Sequence, residues 1–124
     1  HRLGKHQVAA DYATRGLQTL GVAGDVPMRV RLQRNLARAR AALGDWDAAK
    51  LALGEARLLV RDLGDPKLLA EIALEEARIA QREQDFDTQR RAALEILELA
   101  EQLQNSQLRG LGLELQGHLA EQSR

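Results

Sequence analysis

The sequence predicts an all-α chain of about six helices, and three observations carry that reading. Ala and Leu supply most of the apolar content and Glu, Gln and Arg much of the rest, a bias that favours helix by intrinsic propensity. Breakers cut the chain into segments of helical length with helical rather than alternating apolar periodicity. Most telling is a forty-residue echo: Asp45-Trp46-Asp47 returns as Asp85-Phe86-Asp87, and Gly24-Asp25 as Gly64-Asp65. The same register aligns Ala37 with Ala77 and Gly117, Leu63 with Leu103, and Leu3-Gly4 with Leu43-Gly44. A fixed period of this length is the signature of a repeat architecture.

The elements follow from the punctuation. A first helix over 5–20 ends at the Gly21–Pro27 stretch, and Pro27 opens a second over 27–43. Val30, Ala37 and Ala41, with Leu36 and Leu43, make its apolar stripe. Gly44 stops it and Asp45 can cap the next helix, 46–63. Gly64-Asp65-Pro66 repeats the stop and start, giving helix 66–83. Gln84-Asp85 leads into helix 86–103, where Phe86, Ala93, Ile96, Leu97 and Ala100 share one stripe. Asn105-Ser106 marks the last loop, before helix 107–122. Connections read as alternating between two or three residues and roughly four to six, so neighbours should pack as antiparallel hairpins. No hairpin can bury its apolar face alone, so hairpins must stack.

Bulk properties exclude several classes. The 124 residues are one domain's worth of chain. Eighteen Lys and Arg balance eighteen Asp and Glu, so charge does not point to nucleic acid or membrane. Without Cys there are neither disulfides nor thiolate metal sites, which fits a reducing, cytoplasmic setting. No apolar run nears the ~20 residues of a membrane span, and no signal-peptide pattern opens the chain. The absence of an initiator Met suggests a fragment of a longer protein.

The repeat resembles the tetratricopeptide family. Its pattern is a Leu and a small residue in the first helix, Gly-Asp-aromatic-acid at the hairpin, then two small residues seven apart. Leu36-Ala37, Leu43-Gly44-Asp45-Trp46-Asp47, Ala49 and Ala56 fit it well. In the next repeat Ala77 and Asp85-Phe86-Asp87 fit, but Gln84 stands for Gly, Glu76 for Leu, and Gln89 and Ile96 for the two alanines. The partial first repeat has Gly4, Ala9 and Gly16, with His6 in place of the aromatic. The period is forty residues against the family's usual 34. This longer form is similar to repeats in bacterial regulators related to the maltose-operon activator, in multidomain regulatory ATPases and in cyclases.

The resemblance implies a right-handed superhelix of antiparallel hairpins occupying 1–124 as a single domain, cut mid-repeat at both ends. It implies that Ala37, Ala77 and Gly117 allow close helix approach, and that Trp46 and Phe86 pack under their turns. It also implies that first helices line a concave groove. Residue by residue, that groove would contain Arg31, Arg34, Arg38 and Ala41; then Glu71, Leu74, Arg78 and Gln81 with Arg82 adjacent; then Leu111, Glu114, His118 and Glu121. Arg31, Arg34 and Arg38 share a helix face by spacing alone. With Arg78 they would form a basic strip able to grip carboxylates, an acidic peptide or a chain terminus. The plainer reading is a solvated face paired with nearby Glu.

No enzyme signature is present, and no cofactor or metal is expected. His1, His6 and His118 lie in separate segments outside any spaced metal motif, and Ser106 and Ser123 have no neighbouring base in sequence. The three aromatics, Tyr12, Trp46 and Phe86, do not cluster with basic residues as a base-stacking platform would. The expected function is therefore a protein-interaction module of a bacterial regulatory protein, with a protein or peptide in the groove. A ligand-sensing domain and a self-association element, joined through its terminal helices, stand as alternatives.

Overall fold

A computed structural model describes residues 2–21 and 25–122. Among them are six α-helices: α1 (Arg2–Leu20), α2 (Val26–Ala42), α3 (Trp46–Leu63), α4 (Pro66–Glu83), α5 (Phe86–Leu103) and α6 (Ser106–Gln122). The middle three begin and end where the punctuation places them. The expected alternation of short and long links is corrected. Apart from the stretch 21–25, every link is two or three residues long. Gly24, half of one sequence echo, lies outside the described residues.

The links are copies of one device. Gly44, Gly64, Gln84 and Gln104 take positive φ values of 85°, 62°, 59° and 51°. Each is followed by an Asp or Asn whose side-chain oxygen accepts a backbone N–H three residues on. Asp45 accepts from Ala48 (3.3 Å), Asp65 from Leu68 (3.4 Å), Asp85 from Thr88 (3.2 Å) and Asn105 from Leu108 (3.0 Å). A left-handed residue ends one helix and a side-chain cap starts the next. The structural unit is thus one helix and one turn, recurring every twenty residues, half the echo in the sequence. Asp25 flanks α2 without a side-chain cap bond, and there Pro27 sits in the first turn instead.

The chain divides into two compact units, one reaching to Leu68 and one starting at Leu69. In the first, α2 packs against both α1 and α3. Its interior is built of Ala13, Val30, Leu36, Ala37, Ala49, Ala52, Leu53 and Ala56, all at most 5% exposed. In the second, Ala70, Ala73 and Ala77 of α4 meet Ala92, Ile96, Leu99 and Ala100 of α5 and Leu108 of α6. Alanine at these positions brings helix axes close but removes only about one methyl each from water, ~0.8 kcal/mol. Larger gains fall to the few fully buried long side chains, chiefly Val30, Ile72 and Ile96.

Ala37 and Ala77 are 0% and 1% exposed. Trp46 and Phe86 open α3 and α5 and are half-buried. Gly117 is a correction: it is exposed, and a Cβ built on it meets nothing within 4 Å among the described residues. Ala37 has α3 and Ala77 has α5 to pack on, but no described helix lies against position 117. The close approach in α6 is at Gly112, where a Cβ would come 2.8 Å from Leu97 Cδ2. In the first unit Gly16 has the same role, its Cβ position lying 3.0 Å from Leu32 Cδ1.

Candidate functional site

Five residues assigned to the groove converge between α4 and α6. Leu74, Arg78 and Gln81 recur at steps of four and three along α4, so one face presents all three. Leu111 and Glu114 do the same on α6. Together with Ala77 and Leu115 they line a small open cavity of about 150 Å³. Leu74 and Leu115 also support the core behind it, so the apolar floor is held by packing rather than by loops. Leu111 is 37% exposed and forms an apolar rim.

The charges of this groove are already committed in part. Glu75 is buried, its side chain 4% exposed, and its Oε1 accepts from Arg78 Nη1 at 2.9 Å. Arg78 keeps 56% of its side chain in solvent. It is therefore a guanidinium pinned at one edge and open at another, not a freely swinging cation. Glu114 on α6 adds an acid to the same lining. The groove is bipolar around an apolar floor.

The other assigned residues divide. Arg31 and Arg38 are exposed on α2, and Arg34 is half-buried with Nη2 reaching Asn35 Oδ1 at 3.4 Å. Arg82 is exposed near the end of α4, Glu71 is half-buried, Glu121 exposed, and His118 half-buried on α6 outside the cavity lining. Ala41, assigned to the groove, is 4% exposed and belongs to the core, so it presents no surface. Sequence reasoning missed Leu115 and the Glu75 tether. Both were within reach, since Glu75 stands one turn from Arg78 and Leu115 one turn from Leu111.

A second, larger depression of about 630 Å³ lies between α5 and α6, lined by Leu97, Ala100, Glu101, Arg109 and Leu113 with the 104–106 turn. Among the described residues no group of three or more His, Asp or Glu is placed to hold a metal ion, and no helix is long and apolar enough to cross a membrane. His1 and Ser123 lie outside the described residues. No known family model matches the chain, and searches of curated proteins and of solved structures found no significant match.

Proposed function

We propose that this chain is a tetratricopeptide-like interaction module that receives a protein segment or peptide in the groove between α4 and α6. The supporting observation is the convergence of Leu74, Arg78, Gln81, Leu111 and Glu114 on one lined cavity. Size favours a peptide over a small molecule at this site. Small-molecule sites usually enclose about 300–1,000 Å³, whereas this cavity of about 150 Å³ suits one apolar side chain of a longer ligand. Arg78 and Glu114 then meet polar groups on either side of that anchor. An acidic partner is favoured along α2, where Arg31, Arg34 and Arg38 recur at steps of three and four and add positive charge to one face. We place the module within a bacterial regulatory protein, in the cytoplasm, on the strength of the forty-residue repeat.

Selection from a displayed random-peptide library tests this reading with the natural partner still unidentified. Enriched peptides should carry an apolar residue flanked by charge, and Leu74→Glu with Leu111→Glu should weaken them at least about tenfold. The partially exposed positions of both leucines make survival of the fold checkable by circular dichroism. The reading fails if no peptide is enriched, or if enriched peptides ignore the double change. Arg34→Glu with Arg38→Glu, measured on the same peptides, separates a contribution of α2 from that of the α4–α6 groove.

A further inference from the structure

We propose that the outward face of α3 is a self-association surface, on which α3 of a second copy of this chain lies parallel to it. Asp47, Leu51, Gly54, Leu58 and Arg61 recur at alternating steps of four and three, and all five are exposed, Leu51 by 66% and Leu58 by 52%. They run along the side of α3 opposite Ala49, Ala52, Ala56 and Val60, which are at most 2% exposed and face the core. Helices precede and follow α3 in the chain, so this is not an end face. Nor does the forty-residue register call for leucine here. The places matching Leu51 hold Asp11 on α1 and Arg91 on α5, and those matching Leu58 hold Gln18 and Glu98, all exposed. Leu94, at the place of Gly54 on α5, stands alone between those charges. Of these three helices, α3 alone carries two exposed leucines at seam spacing. A Cβ built on Gly54, between them, meets nothing within 4 Å, so another backbone can come close there.

The charges beside the seam select a second copy and fix its direction. With the leucines at the a positions of a heptad, Gly54 and Arg61 fall at d, Lys50 and Arg57 at g, and Glu55 and Asp62 at e. One edge of the seam is therefore basic and the other acidic. When two copies lie parallel about a two-fold axis, each edge meets the opposite edge of the other copy. Lys50 then faces Glu55 of the second copy and Arg57 faces its Asp62, and the symmetry makes each pair twice. Antiparallel packing would set basic edge on basic and acidic on acidic. Lys50 and Arg57 already interact within their own copy, so these pairs set direction more than they add affinity. Like charges meet only at the ends of the seam, Asp47 with Asp47 and Arg61 with Arg61. Each end lies about 10 Å along the axis from Gly54, where helices crossing at the glycine have diverged. A two-leucine seam is small, so the dimer is weak and reversible.

Sedimentation equilibrium of the unchanged chain, up to about 1 mM, should fit a monomer–dimer equilibrium that weakens in high salt. Leu51→Glu with Leu58→Glu should weaken the dimer at least about tenfold. Both sites are exposed, and circular dichroism verifies that the variant folds. Glu55→Lys with Asp62→Lys, and Lys50→Glu with Arg61→Glu, should each abolish the dimer alone and restore it when mixed, because each variant then supplies the edge the other lacks. Direction is read by cross-linking, since the chain has no Cys of its own. In an oxidised mixture of D47C and R61C chains, parallel packing links D47C to D47C and R61C to R61C. A strict monomer across the whole range overturns the proposal and leaves the face to a different protein. Association that survives the double leucine change, or that strengthens in high salt, overturns it as well. So does a predominance of mixed D47C–R61C links, the mark of antiparallel packing.

Discussion

Gln89, fully buried in the first turn of α5, donates from Nε2 to the carbonyl oxygen of Ala80 in the last turn of α4, at 3.3 Å. The Ala80 oxygen also accepts the backbone N–H of Asp85 at 2.8 Å, so one carbonyl ties the end of α4, the turn and the start of α5 together. The equivalent residue in the first unit is Ala49, equally buried, and there the turn is held without a side-chain bond to that carbonyl. Gln89 Oε1 has no hydrogen-bond partner, so the amide is only half satisfied. Gln89→Ala should therefore lower stability by about 2 kcal/mol through lost packing and one lost bond. Gln89→Met, which keeps the volume and removes the orphaned oxygen, should change it by less than about 1 kcal/mol. Urea denaturation of the two variants beside the parent chain checks the contrast; equal losses would mean the bond, not the volume, is what matters.

Left-handed backbone at Gln84 and Gln104, φ 59° and 51°, occurs where Gly44 and Gly64 occupy the matching turns. For a residue with a Cβ that conformation costs about 1–2 kcal/mol, which glycine does not incur. Part of the gain on replacement is offset because glycine has more freedom to lose on folding. Gln84→Gly and Gln104→Gly should each raise stability by about 0.5–1 kcal/mol, and together nearly additively, since the two turns close different links. Gly44→Ala should do the reverse, by about 1 kcal/mol. Thermal melting of the four variants beside the parent chain decides it.

These turns show what kind of information the sequence holds. Helices over 46–63, 66–83 and 86–103 were readable to the residue because Asp and Pro act locally, on N–H groups one turn away. The α4–α6 groove was readable as a set of residues because steps of three and four fix a helix face. What a small residue packs against was not readable. Gly117 matches Ala37 and Ala77 in register, yet no described helix lies over it. Gly112, the position that does meet a neighbour, matches Leu32 and Ile72 and breaks the register. Its role depends on where Leu97 of α5 comes to rest, a tertiary fact with no local signal. The twenty-residue turn repeat was hidden for another reason: Gly and Gln, and Asp and Asn, serve the same geometry under different letters.

Arg78 and Glu75 join a buried carboxylate to a half-exposed guanidinium one turn along α4. Removing the guanidinium leaves the carboxylate with less compensation where solvent reaches it poorly. Because Arg78 itself is largely in water, the loss should be well below that of a fully buried pair, about 1–2 kcal/mol for Arg78→Ala. Glu75→Gln retains an acceptor for Arg78 and removes the buried charge, so it should cost less than the Arg78 change. A double-mutant cycle in urea should return a coupling of about 1 kcal/mol. A coupling near zero would assign Glu75 to its other surroundings and leave Arg78 wholly available to a ligand.

Gly112 and Gly117 sit on the same helix five residues apart, and substitution should move stability in opposite directions. At Gly112 any Cβ lies within 2.9 Å of Leu97 Cγ, which is not the loose end of a side chain, and 3.3 Å from Ile96 Cγ2. Gly112→Val must push α6 away from α5 or drive Leu97 from its rotamer, at a cost of about 1–3 kcal/mol. At Gly117 the space is open and the backbone is helical, so Gly117→Ala gains about 0.5–1 kcal/mol from reduced freedom of the unfolded chain. Measured by urea denaturation, the two should differ by at least about 1.5 kcal/mol. If Gly117→Ala instead destabilises the protein, position 117 has a packing partner after all, and the register assignment of a close approach there is restored.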